Sequence, residues 1–203
     1  MKSIINAKNA LALLFLIPIL TSAISFAMPD NINYKVPTTI YLCCYLILGL
    51  SCLYLAYTDN KFIKSKTHKI SMYLLASYYI IFDGLINRLP SLISENYTIF
   101  NIIKNICEDQ TMQTFYASLV YAFLGLFFYI IFLMFIWGIP TKKSTKWLLT
   151  LLFFTPYIVR GVTPILEVST EYQDLICQTF DITCYGLMLF LVTKAYKKEN
   201  ITD

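Results

Sequence analysis

Six runs of predominantly apolar residues constrain this chain more than anything else in it. Each is close to the ~20 residues that a helix, rising 1.5 Å per residue, needs to cross a hydrocarbon layer ~30 Å thick. They cover 10–27, 40–57, 70–93, 115–137, 147–166 and 175–193. Inside a bilayer every backbone amide must find its partner within the protein, so runs of this length predict helices. The composition agrees: of 203 residues 58% are apolar and 14% charged, with a mean hydropathy of +0.63. The expected fold is all-α, a polytopic transmembrane helical bundle of six helices forming one integral-membrane domain over 1–203. The connections are too short to hold a soluble catalytic, ATPase or signalling domain.

The connections alternate in charge. Lys2 and Lys8 precede the first run; Lys61, Lys64, Lys66 and Lys69 separate the second from the third. Lys142, Lys143 and Lys146 separate the fourth from the fifth, and Lys194, Lys197 and Lys198 follow the sixth. The opposite connections hold Asp30 with Lys35, then Glu95, Lys104, Glu108 and Asp109, then Glu167, Glu171 and Asp174. Lysine and arginine collect on the cytoplasmic side of short loops, so both termini are expected in the cytoplasm and the acidic connections outside. A bacterial inner (plasma) membrane is the expected location. Trp137 and Trp147 flank the connection at Pro140, where amphipathic rings suit the headgroup level. The first run, with Lys2 and Lys8 before it and Ser25-Phe26-Ala27 at its end, also satisfies the pattern of a cleavable secretory signal. The segment 94–113 carries Ile99, Ile103 and Ile106 at helical spacing and reads either as an interfacial helix or as a plain loop. The net charge of +4 is small and dispersed, which excludes a nucleic-acid footprint.

Arginine is distributed differently from lysine. All 14 lysines lie in connections and tails, whereas Arg88 and Arg160 fall inside apolar runs, joined there by Asp83 and Asp181. Each such charge costs roughly 2.5–3.5 kcal/mol at a helix centre on insertion scales, so mutual pairing and shelter from lipid are expected. Counting from the outer ends at 1.5 Å per residue puts Arg88 about 7 Å deep, Asp83 about 15 Å, and Arg160 and Asp181 about 9 Å each. Helices five and six must be antiparallel neighbours, which makes Arg160 and Asp181 the natural ion pair. Asp83 and Asn87 share an α-helical face, whereas Asp83 and Arg88 would point about 140° apart. Arg88 then needs another partner, Glu167 or a ligand. Pro156, Gly161 and Pro164 in the fifth run, and Gly84 and Pro90 beside Arg88, interrupt helices where freed backbone groups suit a wet cavity. The expected ligand- or ion-binding set is Asp83, Asn87, Arg88, Arg160 and Asp181, in an outward-facing pocket walled by helices three, five and six. The competing reading is a buried ion network that only locks helices together.

Other chemistry lacks its parts. The single histidine, His68, sits among lysines and reads as a solvated loop residue, so zinc-hydrolase, paired-histidine haem and Ser-His or Cys-His catalysis are unsupported. No phosphate-binding glycine loop occurs; no cofactor and no metal is expected, and the balance is against an enzyme. Cys43, Cys44, Cys52 and Cys184 read as apolar packers, whereas Cys107 and Cys177 are disulfide candidates on the outer side. Asn96-Tyr97-Thr98 is a glycosylation sequon, meaningful only in a eukaryotic secretory pathway. Tyr78, Tyr79 and Phe82 suggest a flat apolar pocket above Asp83, although packing accounts for most aromatic residues.

The leading expectation is a small-solute or ion transporter, or a channel component, taking a polar, anionic or zwitterionic ligand from outside. Its partners would be the lipid bilayer and either further copies of itself or a partner membrane subunit. A non-catalytic interaction protein, for toxin immunity or a defence system, is the alternative, and a lipid- or sterol-binding protein a third.

Overall fold

The computed structural model describes residues 6–28, 33–58, 63, 65–93, 110–166 and 168–201. All regular structure among them is helical, in six helices. These are α1 (Ala7–Ala27), α2 (Lys35–Tyr57), α3 (Lys66–Ile93), α4 (Gln110–Gly138), α5 (Lys143–Val162) and α6 (Thr170–Ile201). Four of them, α1, α2, α3 and α6, contain stretches long and apolar enough to cross a membrane, and they support an integral membrane protein. In α4 the described apolar stretch is Ala122–Gly138, and α5 carries Lys143, Lys146 and Arg160. The helices overrun the apolar segments, because hydropathy marks only the greasy length while backbone bonding continues into polar ends. α6 thus begins at Thr170 and ends at Ile201, against the expected 175–193. α5 instead stops at Val162, ahead of Pro164, whose ring cannot continue a helix. Of the expected interfacial segment, 94–109 lies outside the described residues, as does the sequon, and 110–113 opens α4.

Two helix starts are capped by their own sequence. Asn6 accepts the Asn9 N–H at 2.9 Å before α1, and Ser65 Oγ accepts the His68 N–H at 3.0 Å before α3. Ser22 of α1 meets Asp181 of α6, and further along α1 Ser25 and Phe26 share a cavity with Tyr172 and Asp174, nearer the start of α6, so these two helices run antiparallel and both described termini lie at one end of the bundle. Most of the described lysines collect at this lysine end, opposite the mouth end. At the lysine end Lys146 Nζ donates to the Trp137 carbonyl at 2.7 Å, and the Trp137 and Trp147 rings meet edge-to-face at 5.2 Å.

Lipid is as apolar as leucine, so helix association in a bilayer rests on close packing rather than on the hydrophobic effect. The core here is aromatic. Phe15, Phe132, Phe135 and Phe153 are buried together from α1, α4 and α5, with Phe132 and Phe153 stacked at 4.3 Å. Leu50, Phe123 and Phe190 are exposed, a surface suited to lipid. α1 contributes Ala10, Leu11, Leu14, Phe15 and Ile17 to the core, so cleaving it as a signal would remove one wall of the bundle. His68 departs from expectation. It is 1% exposed in the first turn of α3, its ring 5.3 Å from that of Phe135. Gly138 makes room for it, since a Cβ there would lie 2.5 Å from the imidazole. A lysine-rich neighbourhood implied solvent, but the helix begins early enough to carry the ring inward.

α3 changes character midway. Lys66–Ser77 is α-helical, Tyr78–Arg88 is π-helical and Leu89–Ile93 returns to α, with the Leu89 N–H donating to the Gly84 carbonyl five residues back. Wide turns of this kind are rare and concentrate at functional sites. α2 packs on the widened stretch through Gly49, where a Cβ would fall 2.3 Å from Ile80 Cγ1 and 3.3 Å from the Ala76 carbonyl oxygen. Gly49→Ala is expected to destabilise the protein by about 1–3 kcal/mol in detergent-based unfolding. Adding Ile80→Ala should recover part of that loss; purely additive costs would show that the Gly49 contact does not set the α2–α3 approach.

Candidate functional site

Arg88, Arg160 and Asp181 converge. They line a cavity of about 310 Å³ together with Thr21, Ser22 and Ser25 of α1, Tyr41 and Tyr45 of α2, and Asp174, Cys177 and Gln178 of α6. Arg160 Nη2 forms the expected salt bridge with Asp181 Oδ2, and that same oxygen accepts the Ser22 hydroxyl at 3.1 Å. The pair is lopsided, since the Arg160 side chain is 46% exposed and that of Asp181 6%. Asp181 Oδ1, Gln178 Oε1 and Arg88 Nε are buried with no hydrogen-bond partner among the described residues. Ser25 and Tyr41 share a hydroxyl–hydroxyl hydrogen bond that joins α1 to α2 beside them. Three polar atoms without partners thus belong to residues of one recess, where buried polar groups are ordinarily paired.

The π-helical turn overturns the expected orientation of Asp83 and Arg88. With bonds spanning five residues the turn is wider than in an α-helix, so residues five apart come onto the same side rather than diverging. The charge of Arg88 acts on Asp83, although the two are not in salt-bridge contact. Arg88 instead lies over tyrosine rings, its guanidinium carbon 5.1 Å from the Tyr41 centroid and 5.9 Å from that of Tyr45, both cation–π distances. Glu167, the other partner considered for it, lies outside the described residues.

Asp83 lines a second cavity of about 300 Å³, deeper in the bundle, which adjoins the first through Thr21 and Tyr45. Its walls are mostly rings: Tyr45, Tyr78, Tyr79, Tyr129, Tyr157 and Tyr185, with Phe128. They brace one another, Tyr129 against Tyr157 edge-on at 4.8 Å and Tyr78 against Phe128 at 4.9 Å. Pro18 lines the same chamber, and its carbonyl accepts the Thr21 hydroxyl at 2.9 Å. A third cavity of about 390 Å³ at the mouth end adjoins the polar one through Ser25, Asp174 and Gln178. The three lie in series from the mouth to Asp83.

Four of the five expected site residues therefore line adjoining cavities, but the walls differ from expectation. Helices α1 and α2 join α3, α5 and α6 in the walls, α4 lines the inner chamber, and Asn87 lines none of the three cavities. Gly125 of α4 borders the inner chamber. Cys177 is a free thiol in the polar cavity, and Cys107 lies outside the described residues. Sequence reading missed Ser22, Ser25, Tyr41, Tyr45 and Gln178. The hydroxyls at 21, 22 and 25 within an otherwise apolar run were the available signal. No protein-family model, no curated protein and no solved structure matches the chain.

The lopsided pair yields an asymmetric prediction. Arg160→Ala strips a buried carboxylate of its cation, whereas Asp181→Ala frees a half-exposed guanidinium. Arg160→Ala should cost about 1–3 kcal/mol of stability, more than Asp181→Ala, and the double change should cost less than the sum. Detergent-based unfolding of the four proteins measures this; strict additivity would dismiss the pair as a stabilising unit.

Proposed function

We propose that this chain is a small-solute transporter or channel component that admits a polar ligand at its mouth end. The observation that carries this reading is the series of cavities leading from Asp174 and Gln178, past Arg88, Arg160 and Asp181, to Asp83 in mid-bundle. A charge network that served only to lock helices would close around its charges. Here Arg88, Arg160 and Asp181 line open volume instead, and Arg88 Nε and Asp181 Oδ1 are left without partners among the described residues. Ligand sites inside helical membrane proteins take this form, with polar groups gathered on a cavity at helix interruptions, and the π-helical stretch and Pro18 are two such interruptions. Lysine bias supports a mouth on the exterior and both termini in the cytoplasm, and the membrane proposed here is a bacterial inner membrane. Arginines near the entrance favour an anionic or zwitterionic solute.

Proteoliposomes containing the full chain should take up members of a panel of labelled small zwitterions and anions, and Arg88→Gln should reduce that uptake at least tenfold. Binding of panel members without uptake would remove the transport reading. A variant keeping Cys177 as its only cysteine should react with a membrane-impermeant maleimide in intact cells. Reaction only after permeabilisation would place the mouth in the cytoplasm.

A further inference from the structure

The two inner cavities differ in chemistry, and the difference specifies a ligand. The polar cavity offers Arg88, which has no carboxylate within salt-bridge distance among the described residues and whose Nε is buried without a hydrogen-bond partner. Arg160, by contrast, is already engaged by Asp181. The inner chamber inverts this polarity. Its single charged lining group is Asp83, which receives no hydrogen bond and no salt bridge from the described residues, and the surrounding wall is mostly tyrosine and phenylalanine. A carboxylate among aromatic rings is how proteins hold substituted ammonium groups. The rings attract the diffuse positive charge through their quadrupoles, and methyl groups on nitrogen fill apolar space that a bare, strongly hydrated ammonium would leave reluctantly. The rings nearest the polar cavity already behave this way toward a cation, since Tyr41 and Tyr45 lie beneath the Arg88 guanidinium.

We propose that the inner chamber takes the alkylated ammonium end of a small zwitterion, with Asp83 as counter-ion and the tyrosines as cage, while Arg88 binds the anionic end. Asp83 and Arg88 are separated by five residues of one helix, no more than about 7.5 Å along its axis, and the π-helical turn puts them on one side. A short zwitterion spans that interval. Tyr45, which lines both cavities, sits where the ligand's neutral middle would pass. The inference deepens the solute-binding reading and rests on it. The shared chemistry is a trialkylammonium linked to a carboxylate or phosphate, carried either by a free osmolyte-like solute or by a choline-type lipid headgroup.

A matched pair of probes isolates the charge. Glycine betaine and 3,3-dimethylbutyrate have the same shape and the same carboxylate, and differ in a cationic nitrogen against a neutral carbon. In calorimetric titrations of the full chain in phosphatidylglycerol nanodiscs, glycine betaine should bind about tenfold or more tightly than 3,3-dimethylbutyrate. Asp83→Asn should bring the ratio close to one while leaving 3,3-dimethylbutyrate binding essentially unchanged, and Arg88→Gln should weaken both. Tyr78→Leu, folded as judged by thermal unfolding, should also reduce the ratio and serves if Asp83→Asn fails to fold. Equal affinities in the parent protein, both lowered by Arg88→Gln, would overturn the ammonium assignment and leave the anion-binding reading intact. Binding of neither probe would overturn both, and an unchanged ratio in folded Asp83→Asn or Tyr78→Leu would reject the cage. Weaker betaine binding in phosphatidylcholine nanodiscs than in phosphatidylglycerol would support a lipid headgroup as the source, and equal binding a free solute.

Discussion

The carboxylate of Asp181 holds three helices to one point. One of its oxygens receives both Arg160 from α5 and Ser22 from α1, while the side chain itself springs from α6. An anion in a bilayer core is tolerable only when several donors meet it, so this requirement fixes how deep α1 must sit and which way α5 must turn. α1 is thereby a structural member of the bundle, and the polar recess is the space its hydroxyls share with the two arginines. The second oxygen of Asp181 is left without a protein donor among the described residues, so the arrangement stabilises without closing.

The chain separates its two positive and two negative embedded groups into unequal partnerships. Arg160 and Asp181 pair through one carboxylate oxygen near the mouth. Arg88 and Asp83 share a side of α3 without a salt bridge between them, Arg88 lying over the Tyr41 and Tyr45 rings and Asp83 lining a cavity with tyrosines. The widened π-helical turn brings them onto one side, and α2 can press against that turn only because Gly49 lacks a side chain. Backbone irregularity, close helix approach and charge placement are therefore one local solution. Changing any of them would shift the cavity in which Asp83 sits.

Some of the site could be read from residue types and spacing. Two arginines and two aspartates within apolar runs stood out because every lysine lay elsewhere, and the antiparallel turn between α5 and α6 made Arg160 and Asp181 a pair. Orientation around α3 could not be read, because helical-wheel reasoning assumes an α-helical turn and no residue from 78 to 88 announces the wider one. Asn87, expected on the Asp83 face, lines none of the three cavities. His68 was misread for a related reason: a run of lysines implies solvent, but the ring belongs to a helix start that faces Phe135 and Gly138.

Hydropathy and charge by themselves determine an all-helical membrane bundle, its number of helices and the neutrality of its embedded charges. These follow from the energy of moving single residues into hydrocarbon, which depends on local composition alone. Only the tertiary structure decides that hydroxyls of α1 and tyrosines of α2 join residues some 40 to 160 positions away, that a tyrosine chamber lies beneath the arginines, and that α3 is unwound enough to align Asp83 with Arg88. Those features arise from contacts between helices, where the fit of particular side chains, and not their average polarity, sets the geometry.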